Sequence, residues 1–285
     1  MPHNAIDTAK AFADLRAFLM EAGDLAYKAQ KGVKVQYKDH NQALTETDLA
    51  ISRLAQTRLA GWLEQDGHVL IDEESIAGVG TPEKVFAASR YLWILDPIDG
   101  TAGYALGRPL WGISLALWDG GQPLLGGIYL PAQRALLLAD TQRSWQVAAV
   151  GTDEQTETDL RCLTMPLHSQ IFVESYRGTR LNWGAEWTKN RAWVNTPESA
   201  VQGFWSALTQ QAAGTAITKD FCIWDIAAAA ALAQRAGFAI RTLKDGIPKA
   251  TFAAADFRED WKLVEHGLLC PDSMFAAIRD ALLLP

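Results

Sequence analysis

Tyr91-Leu92-Trp93-Ile94-Leu95 runs without a break into Asp96-Pro97-Ile98-Asp99-Gly100-Thr101. The first part has the apolar continuity of a buried strand. The second presents two carboxylates, a turn glycine and a hydroxyl as soon as that strand ends. Loops beyond the carboxyl ends of strands in an α/β sheet are exposed yet held rigidly by the strands behind them. The passage therefore predicts an α/β protein with a cation and phosphate site at one strand end.

Two further segments are built to converge on it. His68-Val69-Leu70-Ile71-Asp72-Glu73-Glu74-Ser75 is another short apolar run ending in acids, and Phe221-Cys222-Ile223-Trp224-Asp225-Ile226-Ala227 sets one Asp at the head of an alanine-rich helix. Carboxylates a few ångströms apart raise one another's pKa and destabilise a fold unless something neutralises them, and a divalent cation does so. A ligand set of oxygens alone suits a hard ion such as Mg²⁺.

The composition narrows the classes. With 285 residues, 49% hydrophobic and 21% charged, the chain is expected to form one large domain or two intimately packed halves. A formal net charge of −7 argues against nucleic-acid or anionic-membrane partners, which call for a basic patch. Trp93, Trp111, Trp118, Trp205 and Trp224 lie in apolar runs and read as core. Lys10, Asp14 and Arg16 interrupt the stretch from Ala9 to Met20, so neither a signal peptide nor a membrane span is expected, and the location reads as cytoplasmic. Cys162, Cys222 and Cys270 are few and widely spaced, which suits reduced thiols. His68 and His168 read as structural.

Periodicity divides the chain into elements. Phe12, Leu15, Leu19, Ala22, Leu25 and Ala26 predict an amphipathic helix over 5–31, and Ile51, Leu54, Ala55 and Trp62 predict a second over 47–63, opened by a Thr45/Asp48 capping box. Strands are predicted at 91–95, 111–118, 124–130 and 135–139, with Asp119-Gly120-Gly121 as a hairpin turn. A polar stretch from Gly151 to Thr156 suggests a boundary between an N-terminal half, 1–150, and a C-terminal half, 151–285. Beyond it come strands at 170–174, 191–195, 238–243 and 262–266, and helices at 198–212, 225–236 and 272–283.

Residue by residue, the pattern has two readings. Asp96-Pro97 and Asp99-Gly100 are also turn sequences; Asp48 also fits a carboxylate on a helix dipole, Asp225 an N-cap, and Thr101 a helix cap. Lys38 and Arg108 fit either a phosphate contact or a solvated cation. The three acidic segments taken together favour metal binding over turns.

The order of these parts resembles the inositol monophosphatase family, within the lithium-sensitive, Mg²⁺-dependent phosphatases. That family's pattern is an Asp on a helix, a Glu-Glu pair, Asp-Pro-Ile-Asp-Gly-Thr, and Trp-Asp opening an alanine-rich helix. Here these stand at Asp48, Glu73-Glu74, Asp96 to Thr101, and Trp224-Asp225. The resemblance implies an αβαβα sandwich of the inositol monophosphatase and fructose-1,6-bisphosphatase type, two or three Mg²⁺ ions per site, a small phosphorylated metabolite as substrate, and a homodimer. It assigns Glu73, Asp96, Ile98 through its carbonyl, Asp99 and Asp225 to metal. It assigns Thr101, Glu73 and Asp48 to activation of water, and Gly100, Thr101, Ala102, Ser199 and Asp225 to substrate. Two ions roughly 4 Å apart hold both oxygens of an in-line displacement, with no covalent phosphoenzyme.

The specificity region departs from the pattern. Inositol phosphatases carry a Gly-Thr-Ala-like segment and a Glu seven residues before the Trp-Asp aspartate; here the corresponding positions read Glu198-Ser199-Ala200 and Thr218. Within the same class, a 3′(2′),5′-bisphosphate nucleotidase and a histidinol-phosphate phosphatase are the alternatives. From another class, the alternative is a catalytically weak regulatory protein on the same fold, whose signature would be a lost ligand.

Overall fold

Apolar residues recurring every three or four positions give helix α1 (Thr8–Ala29) one buried stripe, from Ala11 through Leu15, Phe18 and Ala22 to Ala26. The Asp7 side chain caps its first turn by accepting from the Lys10 amide. The computed structural model describes residues 5–37, 43–163 and 199–283, with short strand segments at 171–172, 182–183 and 194–195. After α1, strands β1 (Val35–Tyr37) and β2 (Ala43–Thr45) pair antiparallel and lead into α2 (Glu46–Arg58). The Thr45/Asp48 capping box is present. The helix predicted over 47–63 is interrupted at Leu59, whose backbone leaves helical geometry, and resumes as α3 (Ala60–Leu63).

The larger sheet takes its strands in chain order: β3 (His68–Asp72), β4 (Tyr91–Asp99), β5 (Gly112–Asp119), β6 (Gln122–Leu130), β7 (Ala135–Ala139), β8 (Ser144–Ala148) and β9 (Thr156–Asp159). Only β3 and β4 run parallel. Between β3 and β4 lies α4 (Pro82–Ala88), and between β4 and β5 lies the short α5 (Thr101–Ala105). At the β5–β6 hairpin, Gly120 and Gly121 both have positive φ, 56° and 87°. This is the left-handed pair that a two-residue turn demands. Residues 151–155, where the sequence suggests a division into halves, join β8 to β9 within this one sheet. Neither of those strands was evident in the sequence: β9 is a polar edge strand, and β8, though interior, is a short run whose apolar residues Trp145 and Val147 alternate with Ser144 and Gln146.

Period-two alternation sorts each strand's residues onto two faces. Trp93, Leu95, Leu115 and Leu117 meet α1 and α2 on one side. Leu92, Ile94, Ala116 and Trp118 meet α6 (Ala200–Leu208) and α7 (Ile223–Ala236) on the other. Trp93, Trp111 and Trp118 are fully buried and Trp224 nearly so, while Trp205 is partly buried. Beyond α7 lies a second sheet in the order β11-β10-β12-β14-β13, formed by β10 (Ile171–Phe172), β11 (Val194–Asn195), β12 (Gly214–Ile217), β13 (Ala239–Thr242) and β14 (Gly267–Cys270). The terminal helix α8 (Asp272–Ala281) packs on its outer face through Phe275 and Ile278. The layers are thus α, β, α, β, α.

The strand predicted at 262–266 falls instead at Gly267–Cys270. Leu263 is buried because its loop packs on the core, where its amide donates to the Phe221 carbonyl at 2.9 Å, whereas Val264 beside it is exposed. All three cysteines are free thiols. Among the described residues, no helix is long and apolar enough to cross a membrane.

Helix α7 is alanine-rich because it is buried between two sheets. Every residue from Ile226 to Ala233 is buried. Gly126 on β6 allows the approach, since a Cβ there would lie 2.8 Å from the Ala228 carbonyl oxygen and 2.9 Å from the Ala231 Cβ. We expect Gly126→Ala to cost about 1–3 kcal/mol by overpacking, read as a lowered melting temperature in thermal unfolding. An unchanged melting temperature would mean that helix and sheet are not in this contact.

Candidate metal and phosphate site

Asp96 and Asp99 lie three residues apart, so in an unbroken strand they would face opposite sides of the sheet. The chain corrects this. The β4–β5 register pairs Asp96 with Ser114 but Asp99 with Gly112, a shift that leaves one extra residue on β4. Pro97, which has no N–H for the ladder, sits inside this bulge. Ile98 then joins the face toward α1 and α2, and the two aspartates fall together on the side of α6 and α7.

There they meet Asp225, the third residue of α7. One carboxylate oxygen from each of Asp96, Asp99 and Asp225 lies within 4.8 Å of the others. Asp225 is not itself the N-cap; Cys222 holds that position, and the Asp225 carboxylate reaches back to accept from its amide at 2.6 Å. Asp99 is gripped by α6, whose Ala200 amide donates to Oδ1 at 3.1 Å and whose Val201 amide donates to Oδ2. That contact joins residues a hundred positions apart, and nothing in the sequence signals it.

Asp96 is buried, and its Oδ1 has no hydrogen-bond partner among the described residues. Burial first, and then the charges of Glu73, Asp99, Asp225 and Asp48, hold its carboxyl well above the usual range. A buried, unpaired carboxylate oxygen facing other carboxylates is destabilising without a cation. The residues fit a hard divalent ion, because every donor here is oxygen.

On the other side of the strand end, the Thr101 hydroxyl lies 2.8 Å from the Ile98 carbonyl and 3.3 Å from Asp48 Oδ1. A hydroxyl has one proton, so the shorter contact takes it and the longer marks how near the Asp48 carboxylate stands. The other Asp48 oxygen is fixed by the capping box, accepting the Thr45 amide at 2.9 Å. Tyr104 braces this corner by donating to the Ala26 carbonyl at 2.8 Å. Gly100, at φ 90°, turns the chain from β4 into α5.

Glu73 and Glu74, both half-buried, follow β3 directly. Their turn is organised by Asp72, a buried carboxylate that the sequence motifs leave without a role. Ser52, one helical turn beyond Asp48, donates its hydroxyl to Asp72 Oδ1 at 3.0 Å, a contact twenty residues apart that no local sequence pattern signals. In the specificity region, Ser199 is the buried N-cap of α6 and accepts from the Gln202 amide. Thr218 is fully buried, and its hydroxyl has no partner among the described residues. Arg108 is exposed beyond α5, whereas Lys38, His168 and Glu198 lie outside the described residues.

The sequence model of the inositol monophosphatase family matches residues 9–274. A probable inositol 1-monophosphatase, ImpA, of Mycobacterium tuberculosis is 33% identical over 126 residues, 44% of this chain and 41% of that protein. The matched part spans less than half the length of that relative and of the corresponding ImpA of Mycolicibacterium smegmatis. Among solved structures, the extragenic suppressor protein SuhB of Bartonella henselae superposes with a TM-score of 0.69 at 16% identity, covering 95% of this chain and 98% of that one. A dual specific IMPase/NADP phosphatase bound with D-inositol-1-phosphate superposes with a TM-score of 0.71 at 17% identity, covering 97% and 96%. At such identities the likeness establishes the fold.

Proposed function

The chain belongs to the inositol monophosphatase family, and from that membership we propose that it hydrolyses a small phosphate monoester in a Mg²⁺-dependent reaction. The observation that carries the reading is the unpartnered, buried Oδ1 of Asp96 among converging carboxylates. Glu73, Asp96, the Ile98 carbonyl, Asp99 and Asp225 would hold two or three ions. The half up to residue 150 thus supplies most ligands, and the half from 151 supplies Asp225. Bound Mg²⁺ supplies Lewis acidity, which makes water a better nucleophile at neutral pH and offsets phosphate charge.

The chain's own groups do the rest. Thr101, between the Ile98 carbonyl and Asp48, orients the attacking water, and Asp48 with Glu73 accepts its proton. The amides of Gly100, Thr101 and Ala102 hold phosphate oxygens at the turn. Ser199 uses a lone pair for its cap and keeps a hydroxyl proton to donate, while Asp225 borders the substrate's hydroxyls. Thr218 cannot supply the carboxylate that inositol phosphatases place there, so selectivity for inositol 1-phosphate should be poor. The same reading carries a cytoplasmic homodimer that acts on a metabolite rather than on nucleic acid or membrane.

Phosphate release across inositol 1-phosphate, sugar, amino-alcohol and nucleotide phosphates tests this. We expect release with Mg²⁺, none after chelation, no preference for inositol 1-phosphate, and inhibition by Li⁺ at limiting Mg²⁺ with K⁺ as control. Release that survives chelation, or none from any compound, would reject the reading.

A further inference from the structure

We infer that Asp72 is a positioning residue for the candidate metal site, fixing the turn that presents Glu73 and tying it to the helix that carries Asp48. The inference rests on the metal-dependent reading above. Asp72 ends β3, and the turn from it to Ser75 closes twice. The Ser75 amide donates to the Asp72 carbonyl at 3.0 Å, and the Glu74 amide donates to Asp72 Oδ1 at 3.3 Å. Glu73 stands at the corner between them. Its own amide donates to the Leu95 carbonyl at 3.4 Å, one residue before Asp96.

The Asp72 side chain joins this turn to its surroundings. Oδ1 also accepts the Ser52 hydroxyl of α2 at 3.0 Å, and Oδ2 accepts the Ser75 hydroxyl at 3.0 Å. Ser52 lies one turn beyond Asp48 on α2, so a single carboxylate fixes the separation between the Glu73 corner and the Asp48 helix. One feature sets Asp72 apart from a ligand: it is fully buried with donors on both oxygens. An asparagine would keep the bond to the Glu74 amide, but its NH₂ cannot accept the Ser75 hydroxyl. The charged form therefore holds the turn more firmly.

The test is a calorimetric titration of the metal-free protein with Mg²⁺ alone, alongside melting temperatures and kcat at saturating Mg²⁺. Asp72→Ala should weaken Mg²⁺ binding by about 10–100-fold, the range for groups that orient metal ligands. Asp72→Asn should weaken it less, and kcat at saturating Mg²⁺ should fall less than affinity does. Ser52→Ala should weaken binding by itself but add little to Asp72→Ala, because both remove the same link. Wild-type Mg²⁺ affinity in Asp72→Ala, with only the melting temperature lowered, would overturn the inference and leave the metal reading standing. If Asp72→Ala does not fold, Ser52→Ala and Ser75→Ala decide, and unchanged affinity in both overturns it. A wild-type protein that takes up no Mg²⁺ overturns both.

Discussion

Asp96→Asn is expected to remove nearly all phosphate release while making the metal-free protein more stable. The two effects have one cause. Asp96 is buried, has an oxygen without a partner among the described residues, and faces Asp99 and Asp225. Its charge destabilises the fold until a cation arrives, and asparagine is nearly the same size without that charge. Loss of a metal ion's charge at the transition state is worth several kcal/mol. At 1.36 kcal/mol per tenfold, about 4 kcal/mol is a fall of roughly a thousandfold in kcat/KM. The sign of the pH effect follows from the raised carboxyl of Asp96. The native state holds this proton more tightly than the unfolded chain does, so it binds more protons at pH values above the ordinary 3.8. Stability of the metal-free protein therefore falls as pH rises through that window. Melting in chelator across this range should show the decline in the wild type and a flatter profile in Asp96→Asn. Near-wild-type turnover in the variant, or a variant melting below the wild type in chelator, would reject the placement of a cation here.

Thr101→Ala should lower kcat by about 10²–10⁴-fold, the usual worth of a positioned proton-transfer group, and leave KM nearly unchanged. The hydroxyl stands between the Ile98 carbonyl and Asp48, and in the proposed reaction it would act on the nucleophile rather than on the bound phosphate. An effect confined to kcat marks an interaction made in the transition state. Stability should change little, because α5 begins after Gly100 and draws no side-chain cap from Thr101. Steady-state kinetics with Mg²⁺ held saturating checks this. A variant with normal turnover would return Thr101 to a structural role.

What the sequence made legible was local. The Asp96 to Thr101 passage, the Thr45/Asp48 box and the Trp224-Asp225 helix each carry their signal within a few residues; the box and the helix appear where expected, whereas the strand expected to end at Leu95 continues through Asp99 and carries both aspartates within it. The contacts that give the site its shape are distant in the chain. Ser52 with Asp72, and Asp99 with the amides of Ala200 and Val201, pair residues that no periodicity connects. Strand β9 escaped because an edge strand needs little apolar sequence, and Thr156 to Asp159 is polar throughout; interior β8 escaped because its two large apolar residues, Trp145 and Val147, alternate with polar ones over only five positions. The strand predicted at 262–266 failed for the opposite reason: Leu263 is apolar yet serves a loop. The Pro97 bulge was readable in principle. Two aspartates at an odd spacing can share a face only if the strand inserts a residue.

Helix α7 has a bearing on how this protein can diversify. Wedged between two sheets by residues little larger than a methyl group, it works as a spacer whose thickness sets where Asp225 stands. A bulkier residue at Ala228 or Ala231 would displace the sheets on either side and carry the carboxylate with them. Mutational libraries should accordingly find that most enlargements in this helix lower activity before they lower expression. New substrate preferences should arise from the loops at the strand ends, where the chain can change length without altering that spacing.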